Sequence, residues 1–309
     1  MDRELWQTLK ASVRRVCRPC KRDNRLRFSH QQVLLMFFWC VWQGKCLAWA
    51  CDRSHYGSLF RPRRLPSVSQ FRRRVAQDDF QALLGRVHAE LARAGMSCPL
   101  KLIDGKPLLV SPVSKDPDAR RGHITGGYGK GYKLHAIVAE DRRVIVWSLT
   151  ALNAAEQTVA VVMAGHLKPA ADAAAALALA DSNYDSAPLH KALAPSDHRL
   201  LSPLKAQQRV KGGQHHPVTL RQMGPARREA VQVWQDHADL ARYVLNRRNR
   251  IEGVLSAMTV VFNAGNPPPW VRRLARVRRW IGAVIILHNA RVAVQERQAR
   301  IARETQHRA

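Results

Sequence analysis

Apolar and polar positions follow two different periods along this chain, and the change between them falls near residue 98. Before that point apolar residues recur at helical spacing: Leu5, Leu9 and Val13, then Val33, Leu34, Phe37, Phe38 and Val41. Ser67 with Gln70 and Asp78 with Gln81 fit capping boxes, which places helix starts near residues 68 and 79. From Leu100 the pattern shortens to β-rich runs, LKLIDGKPLLV, YKLHAIVAE and VIVWSLT, which predict an antiparallel meander. Asn153 with Glu156 predicts another capped helix, and the continuous apolar run LALAD predicts a strand buried on both faces and ending at Asp181. A short helix starting near Asp185 and Ser186 and a fifth strand in HRLLSPLK follow. A long helix is then expected from about Asp236 to Phe262, with Leu240, Val244, Ile251, Leu255, Met258 and Phe262 on one face. GGYGKG reads as a hairpin, and the alanine cluster of residues 170–178 as helix end and linker.

Three strands, helix, strand, helix, strand, long helix is the order of an α/β fold with a mixed sheet flanked by helices, here preceded by an all-helical region. The expected organisation is a helical DNA-binding or dimerisation domain over 1–98, an α/β core over 99–264, and a basic helical segment over 265–309. The last of these follows three prolines in GNPPPW and carries Arg272, Arg273, Arg276, Arg278 and Arg279.

Charge narrows the partners. Lysine and arginine number 51 against 23 acidic residues, a formal net charge of +28, and a surface so self-repelling calls for a polyanion. Arginine dominates the excess, and its planar fork suits phosphate, so nucleic acid is the expected partner. Arg72, Arg73 and Arg74 lie on a short helix after the turn RPRRLPS, which fits either a helix-turn-helix reader of DNA or a solvated basic helix of a dimerisation domain. The six cysteines sit partly in apolar helical patterns and imply reduced thiols and a cytoplasmic location. Cys17 with Cys20, and Cys51 with His55, have zinc-ligand spacing within each pair, but the separation between the pairs is unlike common fingers. Met1 to Lys10 lacks the apolar core of a cleavable signal peptide, and the run Val33 to Trp42 is about half the ~20 residues a spanning helix needs, so no membrane association is expected.

Three acids, each open to a structural reading alone, point to chemistry by their joint placement on two strands and the following long helix. Asp104 interrupts an apolar strand, where its charge must be compensated. Asp181 closes another, at the carboxyl end where open α/β sheets place their ligands. Glu252 lies at the edge of the long helix's buried stripe, with Arg248 one turn earlier on the same face. Carboxylates so placed are natural ligands for Mg²⁺, with Mn²⁺ as a substitute, and a pair of such ions supplies the activated oxygen and leaving-group stabilisation that phosphodiester cleavage needs.

Around these acids the segments LIDGKPL, GYGKGYKLHAIV, LALADSNYDS and RNRIEGVLSAM resemble the DDE transposases of bacterial insertion sequences, near insertion sequence families four and five, over Leu102 to about Asn289. The resemblance implies an RNase H-like core with Asp104, Asp181 and Glu252 as its metal-binding catalytic triad. It also implies DNA contacts from Arg248, from Lys133 in a Gly-x-Lys-x-His pattern with Gly131 and His135, and from Tyr184 after the second aspartate. Arg72, Arg73, Arg74, Arg272 and Arg273 add candidate DNA contacts on basic helices. The family's tyrosine seven residues before the glutamate is replaced by Leu245, and its lysine seven after by Thr259. The implied activity is metal-dependent cleavage of transposon ends and strand transfer into target DNA, by a homodimer that brings two terminal inverted repeats together. A catalytically silent DNA binder, either a repressor or a decayed transposase, and an RNase H-like nuclease without strand transfer remain alternatives.

Overall fold

The computed structural model describes residues 2–19, 27–169, 176–203, 223–262 and 265–306. In chain order its main elements are α1 (Asp2–Cys17), α2 (His30–Trp42), α3 (Val68–Ala76), α4 (Asp78–Met96), β1 (Leu100–Leu109), β2 (Arg120–Ile124), β3 (Gly127–Ala139) and β4 (Val144–Ala151). There follow α5 (Glu156–Ala164), β5 (Ala176–Leu179), α6 (Ala187–Leu193), β6 (His198–Leu201), α7 (Pro225–Asp236), α8 (Ala238–Leu245), α9 (Asn249–Phe262) and α10 (Leu274–Gln306). They form two compact units: Met1–Ala92 with Ala257–Ala309, and Arg93–Ser256. The C-terminal helix thus groups by contact with the N-terminal helices. No described helix is long and apolar enough to cross a membrane.

In the helical unit, α1 buries Leu5, Leu9 and Val13 on one stripe, as their spacing predicts. Helix α2 is apolar all round and buried from Val33 to Val41, the signature of a central helix. Trp6 packs against Trp39, Trp42 and Phe60 at centroid distances of 5.4, 5.6 and 5.1 Å. The middle of α10, Trp280 to Ala290, is buried as well. Ser67 and Gln70 form the expected capping box at α3.

The other unit is built on a six-stranded sheet of order β2-β3-β1-β5-β6, with β4 also on β3. β1, β3 and β4 form the antiparallel meander, and β5 and β6 run parallel to β1. This is the RNase H-like arrangement: a mixed α/β sheet flanked by helices. β2, which the hydrophobic pattern did not mark, pairs with the first half of β3 across a turn where Gly126 (φ 86°) and Gly127 (φ 146°) take positive backbone angles. Lys101 is fully buried, and its ammonium donates to the carbonyls of Gly95, Met96 and Cys98 at 2.8, 3.0 and 2.6 Å. The first two carbonyls belong to the last turn of α4 and the third lies just beyond it, so a buried cation satisfies what the helix end leaves unpaired.

Several expectations are corrected. The long helix after residue 236 is broken: α8 ends at Leu245, a 3₁₀ turn spans Asn246–Arg248, and α9 begins at Asn249. The run NRRNR offers no apolar residue to hold a helix, and its asparagines compete for backbone hydrogen bonds. Leu240 accordingly stays exposed, whereas Ile251, Leu255, Met258 and Phe262 are buried. Asn153 and Glu156 form no capping box, because the helix starts at Glu156 with Ala155 before it. Arg272 and Arg273 precede α10 instead of riding on it. Residues 170–175 of the alanine cluster, and Cys20, lie outside the described residues.

Candidate functional site

The parallel pairing of β1 with β5 sets the site. Leu102 faces Leu179, so two residues further along each chain Asp104 and Asp181 stand level with one another. Asp104 remains in the ladder, opposite Ala136 of β3. Asp181 has left it, and its Oδ1 accepts from the Asn183 N–H at 2.7 Å to start a 3₁₀ turn, Ser182–Tyr184. Burial pushes the Asp104 carboxyl up to about 6, with the Gly105 N–H and Arg248 opposing the rise and Asp181 and Glu156 adding to it. Burial likewise raises Asp181, helped by Glu156.

Arg248 joins the third acid to this pair. Its Nη1 lies 3.5 Å from Asp104 Oδ2 and its Nη2 lies 3.5 Å from Glu252 Oε1. The neighbouring Arg247 and Arg250 reach Glu140 at 3.4 and 3.2 Å, which pins the polar turn beside the end of β3. Lys106 of β1 donates to the Leu255 carbonyl at 3.1 Å and ties the middle of α9 to β1. Asp104 is 17% exposed and Glu252 is 62% exposed, so Glu252 has rotamer freedom that Asp104 lacks.

Sequence reasoning missed Glu156 as a member of this cluster. It opens α5 and pairs with Lys133 at 2.8 Å, and its charge is felt at Asp104, Asp181 and Tyr184. Its spacing from Asn153 pointed to a cap, and nothing in the sequence signals a partner 23 residues away. Tyr184, a candidate DNA contact, is instead buried beside the acids with its hydroxyl unpartnered, and burial raises its pKa strongly. Asp185 is not a helix cap. It accepts two hydrogen bonds from Arg227 at 2.9 and 2.8 Å and lies 3.7 Å from His190, all buried. His135 is buried on Thr150 at 2.9 Å.

The remaining candidates lie in the helical unit. Arg72 and Arg73 are exposed on α3, and Arg74 reaches His30 at 3.1 Å. Arg72 also lines a cavity of about 310 Å³ with Trp270, Arg276 and Arg279. Arg272 and Arg273 are exposed, the first bonded to the Pro269 carbonyl at 3.1 Å. The described cysteines form no disulfide; Cys51 bonds the Leu47 carbonyl, and His55 bonds the Trp49 carbonyl and stacks on its ring at 4.3 Å.

Asp104, Asp181 and Glu156 offer the hard oxygen donors a divalent ion requires, and burial raises both aspartates, with Glu156 adding to the rise and Arg248 opposing it. Among the described residues, however, no three carboxylates, imidazoles or thiols are grouped closely enough to hold a metal ion. Asp104 and Asp181 stand level, whereas Glu252, the third expected ligand, is turned onto Arg248.

A mixed sheet of this strand order, flanked by helices, defines the class: an RNase H-like α/β fold. Residues 99–290 match the family model described as the transposase DDE domain, and the chain belongs to that family. Among solved structures, the cryo-EM structure of a piggyBac transposase synaptic complex with hairpin DNA is similar over 94% of this chain and 71% of that one, at 11% identity and a TM-score of 0.41. No curated protein matches the chain.

Proposed function

We propose that the chain cuts DNA at the ends of a mobile element and joins the freed 3′ end to target DNA, with Asp104, Asp181 and Glu252 as the acids of the reaction. The observation that carries this reading is the level placement of Asp104 and Asp181 on neighbouring parallel strands, with Arg248 linking Asp104 to Glu252. Asp104 and Asp181 would hold Mg²⁺, or Mn²⁺ in its place, and Glu252 would join them on leaving Arg248. When bound, such ions activate the attacking oxygen and absorb charge on the leaving one. Arg248 is then free to take a phosphate in two-pronged fashion. Lys133 keeps the extra carboxylate of Glu156 neutralised at the rim, and Tyr184 fills the space beneath the acids. The basic helical unit, with Arg72, Arg73, Arg272 and Arg273, would grip the terminal inverted repeats, and a homodimer would hold two ends together.

The test is incubation of the purified chain with its flanking inverted repeats, target DNA and Mg²⁺. Rejoined products support the proposal, nicks alone indicate a nuclease, and retarded but uncut DNA indicates a silent binder. Asp104→Asn is expected to abolish cutting while leaving gel retardation intact, and a variant that still cuts removes Asp104 from the reaction.

A further inference from the structure

We infer that the cleft framed by the β2–β3 hairpin and the start of α5 seats an unpaired nucleotide of a DNA strand next to the acids, an inference that rests on the function proposed above. The cleft has a volume of about 750 Å³, and its lining includes Gly105, Asn183, Arg121, His123, Tyr128 and Lys133. Gly105 follows Asp104 and Asn183 lies two residues past Asp181, so chain neighbours of both aspartates line the cleft.

Its chemistry suits one strand better than two. Tyr128 is 71% exposed, and its ring lies 4.1 Å from that of His123, its cross-strand partner in the hairpin. Two rings left to solvent at the edge of a sheet form a stacking platform, and a base can use it only when its face is open, which pairing and stacking within a duplex prevent. Arg121 is exposed beside them and supplies a fork for the strand's phosphate. The carboxylate on the cleft wall, Glu156, is held by Lys133, so it does not repel a polyanion. Gly122 lets β2 approach the Leu152 carbonyl closely, where any Cβ would force a shift, so the rings stand on a fixed support.

Fluorescence anisotropy of a labelled short oligothymidylate, against a duplex of the same length, tests this with the full chain. Tyr128→Ala is expected to weaken single-strand binding by roughly five-fold or more, the range that loss of one base stack gives, while duplex binding changes little; Arg121→Ala, which removes a phosphate contact, is expected to weaken single-strand binding as well. Tyr128→Phe, which keeps the ring, is expected to bind as the parent does. Unchanged single-strand binding in Tyr128→Ala, with duplex still retained, overturns this inference alone. Equal losses on strand and duplex overturn it too, since they mark a general basic surface. A parent chain that binds neither DNA sinks the proposed function along with it.

Discussion

Asp185 lies four residues beyond Asp181, and burial alone would push its carboxyl up; hydrogen bonds from His190 and Arg227 outweigh burial and hold it below the usual range. It is a structural clamp from the 3₁₀ turn after Asp181 to α7, so Arg227→Met, which leaves the buried carboxylate with His190 alone, is expected to destabilise the sheet unit by about 3 kcal/mol in urea unfolding. Because the folded value is depressed, this stabilisation is present above the unfolded carboxylate pKa of about 4 and disappears as pH falls through the folded value. His135 acts over a higher window. Burial lowers it from 6.5 to about 4, so the unfolded chain takes up a proton first as the solution is acidified. Stability from this group is therefore expected to fall between pH 6.5 and 4 by on the order of 3 kcal/mol and to level off below. His135→Gln should flatten that part of a stability-against-pH profile. Of the proposed acids, Asp104 and Asp181 were legible because a charge in an apolar run demands a reason. Glu156 and Arg227 were not, because their partners are distant in sequence and only the folded sheet brings them together.

Among the elements, β3 shows how a glycine can be required without a turn. A Cβ on Gly131 would collide with the backbone carbonyl of Leu108 on β1, which cannot yield as a side chain end can. Gly131→Ala is thus expected to cost about 1–3 kcal/mol and to lower the thermal midpoint, with the meander disturbed next to Lys133. The α3 cap predicts a smaller effect, about 1 kcal/mol for Ser67→Ala, read as a modest shift in urea midpoint. Periodicity revealed the meander, the buried strand β5 and the first two helices because each has one consistent face. It failed at β2, whose five residues RRGHI carry little apolar signal and owe their strand state to pairing with β3. It also carried one helix through NRRNR, since the apolar stripe resumes in near phase on the far side of the break.

For the molecule as a whole, a net charge of +28 predicts binding to DNA that is governed by counterion release. Affinity for the inverted repeats is expected to fall linearly on logarithmic axes with salt, by on the order of a thousandfold between 50 and 200 mM, and a flat response would contradict phosphate-led binding. The alignment of Leu102 with Leu179 carries a different implication. A slip of a single residue between those two strands would send one aspartate to the opposite side of the sheet. If the proposed cutting depends on that alignment, it is expected to be lost on heating at the same temperature as the pairing of the two strands, and cutting that outlasts the pairing would separate the two.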